Sequence, residues 1–291
     1  MIRSCAWTAL LLSATLWAGG CSSGAAVAVA GESSGAPLAR SPSLDALPQR
    51  PLWLLGEQHD APAHQSLQVE VVGTLAGQGR LAAVVVEMVE AGRGTAGLEP
   101  GAAETRVRAA LDWTDERNLS GWPWSSYGPM IMAAVRAGVP VLGGNLPRSR
   151  QREAMADTAL DRLLDAEQLA RQQALVRDGH CGLLPEAQIA PMTRIQLARD
   201  RSLAAVAAGA VQTGRTVLLV AGNEHVRRDL GVPRHLPADL QVLVLQARSR
   251  PASTADATAF TGPGLQADHT WLTPPLPERD YCAELRQRFG R

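Results

Sequence analysis

Two short runs of one form constrain this chain most. Gly56-Glu57-Gln58-His59 and Gly222-Asn223-Glu224-His225 each follow directly on an apolar, strand-like segment. They lie far apart in sequence, yet each marks a strand end. In an open α/β sheet, parallel strands deliver their carboxyl ends to one edge, and ligands bind in the crevice outside that edge. Two such runs can therefore share one site. Glycine at the first position lets the chain turn off the sheet without a Cβ penalty, and the histidine supplies a nitrogen that can take a proton or bind a metal. A third strand end joins them, because Leu81-Ala82-Ala83-Val84-Val85-Val86 runs straight into Glu87. The plain alternative is that glycine only punctuates a strand and each histidine caps it or faces solvent. The repetition favours a common site.

The order of elements agrees with that picture. Strand-like segments occur at 51–55, 82–87, 139–142, 216–221 and 241–246, with an edge strand at 269–272. Helical patterns fall between them at 60–77, 102–111, 127–137, 149–177 and 186–208. Asp60 stands where an N-cap belongs, Pro62 sits in the first turn, and His64, Gln68, Val71 and Leu75 follow at helical spacing. Strands alternating with helices imply a three-layer α/β domain, with a mostly parallel sheet of five or six strands and helices on both faces. A helical insertion over about 102–200 is expected to cap the site.

Residues 1–20 read as a secretory signal, with Arg3 first, an apolar stretch from Ala6 to Trp17, and Ala18-Gly19-Gly20 before Cys21. The stretch is too short to cross a membrane. A cysteine directly after small residues resembles the bacterial lipoprotein box, which makes Cys21 the acylated amino terminus. Ala18 stands where leucine is usual, so plain secretion to the periplasm is the fallback. Ser22, in place of aspartate, points to the outer membrane. Residues 21–47 then read as a lipidated cysteine and an Ala, Gly, Ser and Pro-rich tether, and 48–291 as the folded domain.

With 28 basic and 28 acidic residues, the chain has no net charge and nothing that points to nucleic acid. Of four cysteines, Cys5 leaves with the signal and Cys21 carries lipid. The periplasm is oxidising, so the remaining Cys181 and Cys282 are expected to pair.

Glu57, His59, Glu87 and His225 together suffice for either of two chemistries. His59, Glu87 and His225 could hold a divalent metal such as zinc or manganese, or the four could act as acid and base on a water. Arg199 lies in the helix before the second motif, where its guanidinium could clamp a carboxylate of the protein or of a ligand. His180, His235 and His269 read as structural.

Longer stretches carry a resemblance. Leu54 to Asp60 with Ala63-His64, Trp122-Pro123-Trp124 before Tyr127, Gly144-Asn145-Leu146-Pro147-Arg148, His180-Cys181-Gly182 and Ala221 to Arg227 resemble the ChaN-like haem-binding lipoproteins. Their superfamily includes the erythromycin esterases, the TraB proteins and the Tiki proteases. Its features are paired Gly-x-x-His motifs, a glutamate after the second strand and an Arg-Asp in the helix before the last motif. Gly56 to His59, Glu87, Arg199-Asp200 and Gly222 to His225 match them.

The resemblance implies haem binding and iron uptake at the outer membrane, with tyrosine-ligated haem at a homodimer interface and an outer-membrane haem receptor as partner. For the Tiki and esterase branches it implies a hydrolase site of Glu57, His59, Glu87, Arg199 and His225. Of the two tyrosines, Tyr127 is the better haem ligand, because Trp122, Trp124, Met130 and Met132 surround it in sequence. A tyrosine packed in the core is the alternative. His59, His64 or His225 then remain as iron ligands.

Overall fold

The structure is a computed structural model that describes residues 43–114, 122–250 and 267–289. The expected signal, Cys21 and residues 21–42 of the expected tether lie outside the described residues. Six strands form one parallel sheet: β1 (Leu52–Glu57), β2 (Leu81–Glu90), β3 (Val141–Asn145), β4 (Thr216–Gly222), β5 (Val242–Ser249) and β6 (His269–Thr273). They lie in the order β3-β2-β4-β1-β5-β6. β4 thus enters between β1 and β2, and the two strands that carry glycine-histidine runs become central neighbours. Glu57 pairs with Gly222, and Gly56 with Ala221.

Continuous burial along β1 and β4 is what a parallel sheet covered on both faces demands. Alternation then divides the core. Trp53 and Leu55 pack with Val71, Val72 and Leu75 of α1 (Pro62–Gly77) and with Tyr127, Met130 and Ile131 of α3 (Trp124–Arg136). Leu52 and Leu54 face the other way, onto Leu203, Ala204 and Ala207 of α6 (Glu186–Gly209). These are the three layers. α2 (Glu104–Ala110) adds Val107 to the first core. A third cluster joins Ala154 of α4 (Arg148–Ala156) to Leu197 of α6, with Leu169 and Leu175 of α5 (Ala166–Gly179) against it.

Several local expectations change. Residues 102–200 contain the edge strand β3, and α6 packs on the sheet as one of its own layers, so this stretch does more than cap a site. The position before α1 is held by Ala61, with Pro62 following and no side-chain cap from Asp60. Leu44 and Leu47 are buried in the first core, so the folded body begins before residue 48. Cys181 and Cys282 form a disulfide that ties α7 (Tyr281–Phe289) to the turn after α5.

Candidate functional site

The register of β1 against β4 brings the two runs together at the carboxyl edge. His59 and His225 both reach Glu87, at 3.8 Å from His59 Nε2 to Oε2 and 3.4 Å from His225 Nε2 to Oε1. Each ring is held from behind by another carboxylate. His59 Nδ1 lies 2.8 Å from Glu57 Oε1, and His225 Nδ1 lies 2.6 Å from Asp200 Oδ1. Two oriented imidazoles therefore face one buried carboxylate.

The hydrogen bonds around Glu57 fix the tautomer of His59. Tyr127 donates its phenol proton to Oε1 at 2.7 Å, while Gln65 and Gln68 donate to Oε2 at 3.0 and 2.5 Å. A carboxylate offers about four lone-pair sites, and His59 takes the remaining one. Its Nδ1 must donate. Nε2 is then the free position, on a side chain that is 37% exposed.

Glu87 is shaped by its strand. The β2–β3 register shifts between Val86 and Glu90, and the Asn145 amide donates to the Glu87 carbonyl at 2.8 Å. Such irregularities re-aim side chains near sites. The Gly222 N–H donates to Glu87 Oε2 at 2.8 Å.

Charge follows geometry. Burial works against ionised Glu87, but the His225 charge and hydrogen bond, then His59 and the Gly222 N–H, hold its carboxyl far below the usual range. Burial likewise opposes a charged His225, yet Glu87 and Asp200 raise it well above an ordinary imidazole. His59 is raised as well, because the bond to Glu57 and the charges of Glu87 and Glu57 outweigh its burial. Asp200 is pushed up by burial and by Glu87 despite its bond to His225. Glu87 is thus the firmer counter-charge of the two.

The glycines of both motifs serve close approach. Neither Gly56 nor Gly222 has positive φ. A Cβ on Gly56 would stand 2.4 Å from Asn223 Oδ1 and 2.5 Å from Val226 Cγ2. One on Gly222 would stand 3.1 Å from His59 Nε2 and 3.7 Å from Glu87 Oε2. The first glycine lets the motifs pack together, and the second leaves the floor of the site clear.

Two expected iron ligands are placed elsewhere by their contacts. His64 is buried, its Nδ1 accepts from the Gln58 N–H at 2.9 Å, and its Nε2 bonds Thr273 Oγ1 at 2.9 Å. Burial also lowers its pKa, so the ring is neutral and both nitrogens are occupied. Tyr127 is fully buried, and burial with the neighbouring Glu57 pushes its pKa far up. A phenol kept protonated by Glu57 is a clamp for that carboxylate.

Among the described residues, no group of three or more His, Cys, Asp or Glu is arranged to hold a metal ion. Gln65 and Gln68 were not singled out for this site from sequence, and Asp200 entered only through the Arg199-Asp200 match to the superfamily, with no role given to it. Each carried a signal, as a polar residue on the buried stripe of α6 or α1.

Two cavities open at this edge, and the histidines line the smaller. One, of about 510 Å³, is lined by Glu57, His59, Gly222, His225, Arg248 and Ser249 among others. The other, of about 730 Å³, is lined by Met88, Leu111, Trp113, Trp122, Leu146 and Arg199 among others. Trp122 links them, since its ring meets His59 edge-on with centroids 5.6 Å apart.

Comparison with known proteins fits this geometry. A family model described as haem-binding uptake, Tiki superfamily, ChaN matches residues 43–236, well over half of the chain. No curated protein sequence matches. The solved structure of cofacial haem binding to ChaN of Campylobacter jejuni is similar in fold, with a TM-score of 0.55, 19% identity, and coverage of 76% of this chain and 86% of that one. The type III effector HopBA1 has a TM-score of 0.37 at 15% identity over 78% of this chain and 88% of its own, too distant to bear on the fold. The protein described here belongs to the ChaN family of haem-binding uptake proteins in the Tiki superfamily.

Proposed function

We propose that this protein binds haem at the cell envelope and serves iron uptake, anchored in the outer membrane through Cys21. A second copy of the chain and an outer-membrane haem receptor are the partners this role calls for. Membership of a haem-binding family supports the reading. The observation that carries it is the larger cavity, whose wall residue Trp122 packs against His59.

Its volume, about 730 Å³, falls within the range of about 300–1,000 Å³ usual for small-molecule sites. Trp113, Trp122, Met88, Leu111 and Leu146 give an apolar wall for a porphyrin face, and Arg93, Asn145 and Arg148 are among the polar residues that line the rest. Arg199 lines the same cavity, and its buried Nε has no partner among the described residues, which suits a propionate. Haem held there would supply an iron that a protein nitrogen could bind. His59, which lines the adjoining cavity across Trp122, would offer Nε2 to that iron, with Glu57 orienting the ring and Tyr127, Gln65 and Gln68 fixing Glu57. His59 must lose its Nε2 proton to ligate, and its pKa is raised. Binding therefore tightens as pH rises through that value.

Haem titration of the full-length protein, followed by the Soret band, tests this. The expected result is a shifted band that His59→Ala abolishes, Tyr127→Phe leaves in place, and Arg199→Gln weakens about tenfold. No shift would overturn haem binding. A band kept in His59→Ala and lost in Tyr281→Phe would overturn the ligand.

A second reading, a hydrolase, is favoured by the paired imidazoles facing Glu87. Glu57 and Asp200 give each ring an orienting acid, as general acid–base chemistry requires. Ester hydrolysis lost in both His59→Ala and His225→Ala, with no Soret response, would move the assignment there. Metal analysis of the isolated protein then decides whether zinc or manganese takes part.

A further inference from the structure

We propose that the cleft over Gly222 recognises a small oxyanion, a carboxylate or a phosphate monoester, through Arg248 and the Ser249 hydroxyl. The inference goes beyond haem binding, which rests on the other cavity and Arg199 and shares only His59 with this cleft.

Arg248 and Ser249 end β5 and line the cleft of about 510 Å³ together with His59, His225 and Gly222. Arg248 is half-buried. Its Nε donates to Gln246 Oε1 at 3.2 Å, and among the described residues it makes no salt bridge. Glu224, the acid that acts on it, is already bonded to Arg227 at 2.9 Å. Burial, with Arg227 facing it, lowers the pKa of Arg248. A guanidinium partly withdrawn from water, whose acidic neighbour Glu224 is shared with Arg227 and gives it no salt bridge, is under-compensated, and an anion in the cleft would offset that cost.

Ser249 supplies the second observation. Its Oγ is buried without a partner, while its own N–H donates to Gln58 Oε1 at 2.8 Å and so pins the residue to the first motif. A buried hydroxyl lacking a bond is uncommon in a finished interior. A ligand oxygen would complete it.

Gly222 makes room for the rest of the ligand. Any Cβ there would stand in contact with both His59 and Glu87, so hydrogen at that position keeps the floor open. A molecule held by its anion on Arg248 can then extend over Gly222 toward the Nε2 of His59.

Calorimetric titration of the full-length protein with benzoate, phenyl phosphate and the neutral isostere benzamide tests the proposal. Benzoate or phenyl phosphate is expected to bind at least about tenfold more tightly than benzamide, and the tighter of the two identifies the anion. Arg248→Gln should remove that preference, Arg248→Lys should keep part of it, and Arg199→Gln should leave it unchanged. Thermal melting should place Arg248→Gln no lower than the parent, because this arginine has no ion pair to lose. Absence of heat from both anions, equal binding of benzamide, or full affinity in Arg248→Gln would overturn the proposal. So would loss of affinity in Arg199→Gln alone, which would put the anion in the haem cavity. Failure of haem binding in the Soret assay leaves these outcomes untouched.

Discussion

Glu87→Gln removes one charge and keeps the shape, so it isolates what the central carboxylate contributes. At 3.4 Å and an effective dielectric constant of about 20, the attraction between Glu87 and protonated His225 is about 5 kcal/mol before desolvation. Their side chains are only 3% and 12% exposed, so solvent screens little of it. Breaking a buried pair from one side costs about 3–5 kcal/mol, because the partner's charge is left uncompensated. The His59 contact is 37% exposed and is discounted to below about 1 kcal/mol.

The pH dependence gives the sharper test. His225 has a raised pKa, so its contribution is complete below 6.5 and fades as pH climbs through the folded value. Glu87 has a depressed pKa, so its contribution is complete above 4.5 and fades as pH falls through the folded value. The loss caused by Glu87→Gln is therefore greatest between 4.5 and 6.5 and shrinks on both sides. Urea unfolding of parent and variant at about pH 3, 5.5 and 9 measures it, with a melting point lower by about 10 °C at the middle value. A loss of equal size at all three would refute the charged network.

Four further outcomes follow from local contacts. Tyr127→Phe leaves Glu57 one donor short in a buried site and should cost about 1–3 kcal/mol in urea unfolding, without touching the haem spectrum. Gly56→Ala should be destabilised by at least about 1–3 kcal/mol, because its Cβ meets Asn223 and Val226; Gly222→Ala should melt near the parent, yet lose anion binding in the calorimeter. Reducing the Cys181–Cys282 disulfide, which spans a separation of 101 residues, should lower stability by about 4–5 kcal/mol in the chain-entropy account and speed proteolysis of the C-terminal segment.

Most strands were legible because a parallel sheet buries both faces, and continuous apolar runs such as Leu81 to Val86 have few other uses. The convergence of His59, Glu87 and His225 followed from strand ends alone. What the sequence hid depends on neighbours. The motif glycines read as turn formers, yet their purpose appears only when β4 lies against β1 and Asn223 or His59 occupies the space a Cβ would fill. Tyr127 beside two tryptophans looked like porphyrin surface, but helical geometry turns its phenol inward to Glu57. His64 reads like its neighbour His59 until Gln58 and Thr273 take both its nitrogens. Asp200 was visible in the Arg-Asp pair, but its role as the acid behind His225 could have been read from its place among Leu197, Leu203 and Ala204 on a buried helix face.

Strand pleating explains why the site needs both layers. Glu57 continues the face of Trp53 and Leu55, so α1 and α3 supply its donors Gln65, Gln68 and Tyr127. The second ring is oriented by Asp200 of α6, on the opposite face of the sheet. Neither layer could hold two imidazoles toward one carboxylate unaided. Glu87 joins them at the edge, touching His59 through Oε2 and His225 through Oε1. Any ligand that takes Nε2 of His59 thereby removes a positive neighbour from Glu87 and changes the charge that His225 meets. Coupling of that kind is reciprocal. Haem on His59 and an oxyanion in the cleft over Gly222, both as proposed above, would therefore sense each other through Glu87.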